Sequence, residues 1–368
     1  MIAADRPVQR PAAAKLLAVD SEGRFSHIAR DHFVELLRPG DLIVANDAAT
    51  LPASLHGVHL PTGEAMEARL AGWSGATASD VSHFAAVIFG AGDYHTRTEH
   101  RLAPPPLAAG DRLRLGPLTA TIVRTLGHPR LVSLEFDGTS DAIWNGIARH
   151  GRPIQYAHIA EPLALWDVWT VLAGPPVAFE PPSAGFVLSW GIIEQLHQRG
   201  IQLATITHAA GISSTGDDEL DKRLPLPEPY RIPEATANAI AAARTRGARI
   251  VAIGTTVVRA LEHAAGTDGV VRPGDGVATQ RIDSTTHVRV VDGVLTGTHE
   301  PGTSHHDLLA AFATPATLSS IDRELDAHEY RTHEFGDSVF IERAEQSQVL
   351  IFGLFRRQQP DYRQRGRG

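Results

Sequence analysis

Between Leu51 and Gly151 the chain changes period, and that change limits what it can fold into. Short apolar runs at 67–70, 84–89, 112–115, 119–123 and 131–136 partly alternate apolar with polar side chains, and Gly, Pro and Asp separate them. Several short strands in such a stretch predict a small β-barrel. On either side the pattern is strand–helix–strand. Runs at 15–19, 42–47, 201–207 and 250–253 are apolar enough for strands. Residues 191–199, 233–246 and 257–265 carry helical spacing instead. Pro233 in the first turn, arginines in the last and Gly247 just beyond mark both ends of the second helix. A helical stretch at 30–37, a hairpin across 287–296 turning at Asp292-Gly293, and a helix over 305–313 complete the pattern. Alternating strands and helices demand a sheet covered on both faces. The expected fold class is therefore α/β. A mostly parallel sheet domain with helices on both faces is built from residues 1–50 and 152–368, and a small β-barrel domain is inserted at 51–151.

Composition narrows the function classes. A chain of 368 residues with 43% hydrophobic and 21% charged residues has the makings of an ordinary globular protein with a large core. The absence of cysteine excludes disulfides, thiolate zinc sites and a cysteine nucleophile, and fits a reducing cytoplasm. The first residues show no basic segment followed by an apolar one, so no signal peptide is expected. No apolar run reaches the length of a membrane span, and a cytoplasmic protein without a membrane partner is expected. The net charge of −8 argues against non-specific nucleic-acid binding, which relies on a broad basic surface. Arg356, Arg357, Arg363, Arg365 and Arg367 form a local exception. They lie in a tail, 356–368, expected to be disordered, which serves either solubility or contact with RNA.

Four stretches carry possible chemistry. The buried strand at 250–253 breaks at Gly254 into Thr255-Thr256 and then a helix holding Arg259. Hydroxyls and unpaired helix N–H groups at one spot suit an anion or a polar nucleoside edge, although a plain βα turn looks the same. His208 ends another strand after Thr207, and so falls on the carboxyl edge where open α/β sheets bind ligands. It reads as a base, a nucleobase contact or a structural loop histidine. If the two strands are neighbours, its imidazole and the threonine hydroxyls fall within about 10 Å of one another at one pocket rim. The third stretch runs from Thr298 through His299 to His305-His306-Asp307. Adjacent histidines usually point apart and no HExxH pattern occurs, so we expect no metal here; a capping Ser304 with solvated histidines is the plainer reading. The fourth is Tyr330-Arg-Thr-His-Glu-Phe-Gly-Asp337, either a turn into a strand or a place where Arg331 and Asp337 position a charged substrate. No G-x-G-x-x-G, P-loop or G-x-S-x-G pattern is present.

The wording of these stretches adds to their chemistry. Ala252-Ile-Gly-Thr-Thr-Val-Val-Arg-Ala-Leu-Glu262 closely resembles a signature of the S-adenosylmethionine:tRNA ribosyltransferase-isomerase family of the queuosine pathway. Further motifs follow in family order. Pro39-Gly-Asp-Leu-Ile-Val-Ala-Asn46-Asp47 with Leu51-Pro-Ala53 looks like the strand leading into the family's barrel, and Thr62-Gly63 with Glu67 like its next motif. Pro182-Ser183-Ala-Gly185 resembles Pro-Thr-Ala-Gly, Thr207-His208 resembles Leu-His, and Glu228 with Tyr230 matches part of a motif bearing His and Glu. His299 and Pro301 with Ala311-Phe-Ala313, then Tyr330-Arg331 with Gly336-Asp337, resemble the closing motifs. The family is known for an α/β domain carrying an inserted β-barrel.

The resemblance implies transfer and isomerisation of the ribosyl moiety of S-adenosylmethionine onto a 7-deazaguanine (preQ1) base in tRNA. The product is epoxyqueuosine-tRNA, and adenine and methionine are released. S-adenosylmethionine is then a substrate and no cofactor is held permanently. His208 would be the base, His299 would assist adenine loss, and Asp337 would organise the pocket with Arg259 and Arg331. Asn46, Asp47, Ser183, Gly185, Glu228, Tyr230, Gly254, Thr255 and Thr256 would contact substrate. The chain departs from the family at Ala48-Ala49, Ser54, Val187, Arg223, Leu226 and Pro153-Ile-Gln-Tyr156. Two alternatives stay open for that reason: an enzyme on the same scaffold acting on another nucleoside, and a catalytically lapsed RNA-binding protein.

Overall fold

A computed structural model of the protein describes residues 1–73 and 81–344. Its centre is the strand Leu42–Asn46, buried along its whole length. Gln202–His208 pairs parallel on one side of it and Ile250–Ile253 on the other. Gly293–Gly297 then adds parallel to Ile250–Ile253. Antiparallel pairings flank this core. Glu228–Ile232 and Gly274–Ala278 follow beyond Gln202–His208, while Ser338–Glu342 pairs antiparallel with Gly293–Gly297. Lys15–Val19 runs parallel to Ser338–Glu342, and Phe25–Ala29 closes that edge of a nine-stranded sheet. The sheet is thus mixed, with its parallel pairings concentrated in the middle. Strand residues send alternate side chains to opposite faces. Leu42, Val44, Ile250 and Ala252 pack with Val257, Leu261 and Ile240, whereas Ile43, Ala45, Val251 and Ile253 pack with Ile192, Leu196 and Phe33. Both faces are dry because helices cover both.

Six strands between Ser54 and Phe136 close a barrel in the order Leu118–His128, Leu131–Phe136, His83–Phe89, Glu64–Trp73, Ser54–His59 and Arg112–Leu115. The helix Ser140–His150 follows, capped by the Thr139 hydroxyl accepting from Ala142 N. Within the barrel Glu67 is buried against Arg69 and Arg101. Burial opposes its ionisation, but the two guanidiniums hold its pKa at about 2. The barrel core is continuous with Phe179, Ala209, Ala210 and Ile212 of the α/β part.

The expected hairpin across 287–296 does not form. Only Gly293–Gly297 is a strand, and its partners are Ile250–Ile253 and Ser338–Glu342. The Glu262 carboxylate accepts from the backbone N–H groups of Arg289, Val290 and Val291, so these donors never enter a ladder. The helix expected over 305–313 is shorter, spanning Ser304–Leu309. The basic tail at 356–368 lies outside the described residues.

Candidate active site

Strand Ile250–Ile253 stops at Gly254, whose φ of 101° lies in the left-handed region that favours glycine. Helix Thr255–Ala264 starts at once, with no side-chain cap on its first N–H groups. Gly254, Thr255 and Thr256 line a cavity of about 310 Å³ together with Thr296 and Gly297 from the end of the neighbouring strand. The cavity therefore opens at the carboxyl edge of the parallel strands, the position expected for a ligand in an open α/β sheet.

Two histidines form one wall. His305 Nδ1 lies 2.8 Å from the Thr255 hydroxyl, and His299 Nε2 lies 2.7 Å from the Thr296 hydroxyl. Their rings stack with centroids 4.8 Å apart. Burial pushes both imidazoles down, His299 the further because His305 and His306 add like charge. Both are neutral near pH 7. His305 was expected to be solvated behind a Ser304 cap. Instead Thr303 is the cap, accepting from His306 N, and His305 turns into the cavity.

Glu228 and Arg259 form a second wall. The carboxylate receives one Arg259 Nη and the Gly211 N–H. The other guanidinium donors reach the carbonyls of Leu226, Ala278 and Gln280, so Arg259 holds Glu228 in place with little capacity left for a ligand. Ser183 lines the cavity from the other side, with Pro181, Pro182 and Ala184. Residues that sequence reasoning did not single out complete the lining: Glu180, Ser213, Ser214, Thr332, His333 and Glu334 among them. Apart from Thr332, which ends the two-residue strand Arg331–Thr332, they come from irregular segments, where no periodicity betrays a shared surface. One signal existed in the Tyr330–Asp337 stretch. Gly336 has no room for a Cβ, which would meet Arg331 O at 2.3 Å, and the tight turn there presents Thr332–Glu334 to the cavity. His333 takes a left-handed φ of 69° in that turn, uncommon for a residue with a side chain.

Several expected site residues stand elsewhere. His208 is fully buried, lies beside Glu228 and does not line the cavity. Its strand is not adjacent to Ile250–Ile253, because Leu42–Asn46 runs between them and Glu228–Ile232 covers its other side. Burial pushes its pKa down to about 4, although Glu228 favours the charged form. Asn46 and Asp47 brace that strand end. Asn46 accepts from His208 N and donates to His208 O, while Asp47 accepts from the Thr207 hydroxyl. Asp337 uses both carboxylate oxygens on backbone N–H groups, those of Lys15 and Arg331. It is a structural clasp, and the Arg331 side chain is exposed away from the lining. Tyr230 donates to or accepts from His263 Nδ1 at 2.9 Å, outside the cavity. Gly185 is buried under Thr170.

Among the described residues, His27, Glu324 and His328 bring three ligand-type atoms within 4.8 Å at the surface, and none of them lines the cavity. No described helix is long and apolar enough to cross a membrane.

The family model described as "Queuosine biosynthesis protein" matches residues 1–341. An S-adenosylmethionine:tRNA ribosyltransferase-isomerase from Sorangium cellulosum is 32% identical, over 92% of this chain and 94% of its own length. Proteins of the same name from Phenylobacterium zucineum and Citrifermentans bemidjiense are 31% and 30% identical, each over 92% of this chain and 95% of theirs. With its mixed sheet, its closed barrel and a match running through both, the chain belongs to the queuosine biosynthesis protein family.

Proposed function

We propose that this chain is an S-adenosylmethionine:tRNA ribosyltransferase-isomerase. It moves the ribosyl part of S-adenosylmethionine onto preQ1 in tRNA and consumes S-adenosylmethionine as a substrate, with no permanently bound cofactor. The observation that carries this reading is identity of 30–32% over 92% of the chain to relatives of that name. The cavity supports it. Carboxyls of Glu180, Glu228, Glu300 and Glu334 face it against two guanidiniums, of Arg259 and Arg281. Arg259 is spent on Glu228, and Arg281 is shared with Asp307. Such a site favours a cation, and S-adenosylmethionine brings a sulfonium and an ammonium.

The chemistry starts at the ribose C5′, whose protons the adjacent sulfonium acidifies. A neutral imidazole takes one of them. His305 is suited to this role, since Thr255 occupies Nδ1 and leaves Nε2 for the proton. His299, stacked on it, is placed to assist adenine, which leaves with the electron pair of its glycosidic bond and requires a proton. His208 acts at one remove, by packing against Glu228.

The departures from the family pattern do not weigh against this. Ala48, Ala49, Ser54, Val187, Arg223 and Leu226 all stand outside the cavity lining, and of the Pro153–Tyr156 departure Tyr156 reaches it through its hydrogen bond to Glu180. Isothermal calorimetry with S-adenosylmethionine tests the reading. One binding site per chain is expected, and no heat at millimolar ligand would refute it.

A further inference from the structure

Of the carboxyls facing the cavity, Glu228 is paired with Arg259, and Glu334 lies 3.1 Å from His158 Nε2. Glu300 is exposed to solvent. Glu180 differs from all three. Only 8% of it is accessible, it lines the cavity, and among the described residues no Lys, Arg or His lies within ion-pair distance of it. Its partners among the described residues are neutral: the Tyr156 hydroxyl donates to Oε1 while lying 3.2 Å from Ser214 O, and Ser213 also contacts the carboxyl. The backbone around it is fixed, since Phe179 N donates to Ala210 O at 2.8 Å. A buried carboxylate without a counter-ion is costly, and a protein tolerates such a group where a ligand completes it.

We propose that Glu180 is the seat for a cationic centre of the nucleoside substrate, its sulfonium or its ammonium, and that the carboxyl releases its proton when that centre binds. The inference rests on the functional reading above and goes beyond it by naming the residue that recognises the charge. No covalent bond forms. The O–H proton passes to solvent, and carboxylate and cation remain as an ion pair.

The surroundings put this exchange near neutrality. Burial raises Glu180 to about 7, against the Tyr156 hydrogen bond and contacts from Ser213, with the Glu334 charge raising it further. Arg69 lies behind the Tyr156 ring, 5.6 Å from its centroid. Burial pushes His299, His305 and His333 below their ordinary value, which moves these cavity imidazoles away from Glu180, whose carboxyl burial raises. A cation seated at Glu180 lowers the carboxyl pKa, and substrate affinity rises with pH up to neutrality.

Calorimetry at pH 7 in two buffers of different ionisation enthalpy reads the proton directly. The wild type is expected to release about half a proton on binding S-adenosylmethionine, the fraction of a group with pKa near 7 that is still protonated at that pH. Glu180→Gln keeps the shape and still accepts from Tyr156. It should bind at least tenfold more weakly and release none. Tyr156→Phe removes a hydrogen bond that favours the carboxylate, so the midpoint of proton release should move to higher pH. S-adenosylhomocysteine keeps the ammonium and lacks the sulfonium charge; release retained with it assigns the ammonium, and release lost assigns the sulfonium. Wild-type affinity and proton release in Glu180→Gln would overturn the proposal while leaving the functional reading intact. Failure of the wild type to bind S-adenosylmethionine would overturn both.

Discussion

His208 Nε2 lies 3.4 Å from Glu228 Oε2, inside the protein and behind the cavity wall that Glu228 forms. Neither ring nitrogen has a hydrogen-bond partner among the described residues, so the imidazole acts mainly by filling space between the strand end and the carboxylate. His208→Ala should therefore destabilise the fold by roughly 2–4 kcal/mol, as large-to-small changes at buried sites do. Urea denaturation measures it. A variant of wild-type stability that has lost turnover would instead return His208 to the reacting atoms.

The same residue links stability to pH. Its pKa falls from 6.5 to about 4 on folding, so below pH 6.5 the unfolded chain binds a proton that the folded chain refuses. Its contribution is complete above 6.5 and is lost progressively as pH falls to about 4. The loss amounts to roughly 2–3 kcal/mol over that window. Denaturation midpoints followed from pH 7 to pH 4 should fall less steeply in His208→Leu than in the wild type. Parallel curves would contradict the assignment.

Thr255 positions His305 through their 2.8 Å contact. Thr255→Val keeps the shape and removes the hydroxyl, which leaves the imidazole free to turn and its Nδ1 without that partner. We expect a 10- to 100-fold loss in kcat, the equivalent of about 1–3 kcal/mol, with a smaller change in KM. Thr255→Ser should recover most of the rate. A loss confined to KM would show that Thr255 contacts substrate and does not orient the histidine.

Gly336→Ala places a Cβ against Arg331 O at 2.3 Å and Thr332 O at 2.6 Å. The turn must open, and it carries Thr332, His333 and Glu334 into the cavity. Weaker S-adenosylmethionine binding should accompany a stability loss of roughly 1–3 kcal/mol. Unchanged binding would mean that this turn plays no part in the site.

Five of the six barrel strands are legible in the sequence, some from alternation, as in Arg112–Leu115, where exposed and buried residues take turns, and others from an apolar run, as in His83–Phe89; Ser54–His59 is not. The sheet centre was legible from the unbroken apolar run ending at Asn46. Partners distant in sequence were not. Glu262 takes three N–H groups from 289–291, and no local pattern predicts that a helix side chain replaces a strand. The Gly254-Thr255-Thr256 break between strand and helix shows in the sequence, yet its partner His305 is fifty residues away. His208 reaches the expected edge of the sheet, but Leu42–Asn46 separates its strand from Ile250–Ile253 and its imidazole is buried. A strand end looks accessible in sequence, and only the antiparallel Glu228–Ile232 strand, pairing His208 with Tyr230, closes it. Asn46 and Asp337 show the same limit, since polar motifs that suggest ligand contacts here satisfy backbone groups.

The central claim is that this cavity carries out ribosyl transfer from S-adenosylmethionine. The direct test incubates the wild-type protein with S-adenosylmethionine and tRNA bearing preQ1, and follows free adenine and methionine by chromatography. The account predicts both products in equal amounts, dependent on the modified tRNA and strongly reduced in His305→Ala. Absence of adenine release by folded protein that binds S-adenosylmethionine would contradict it.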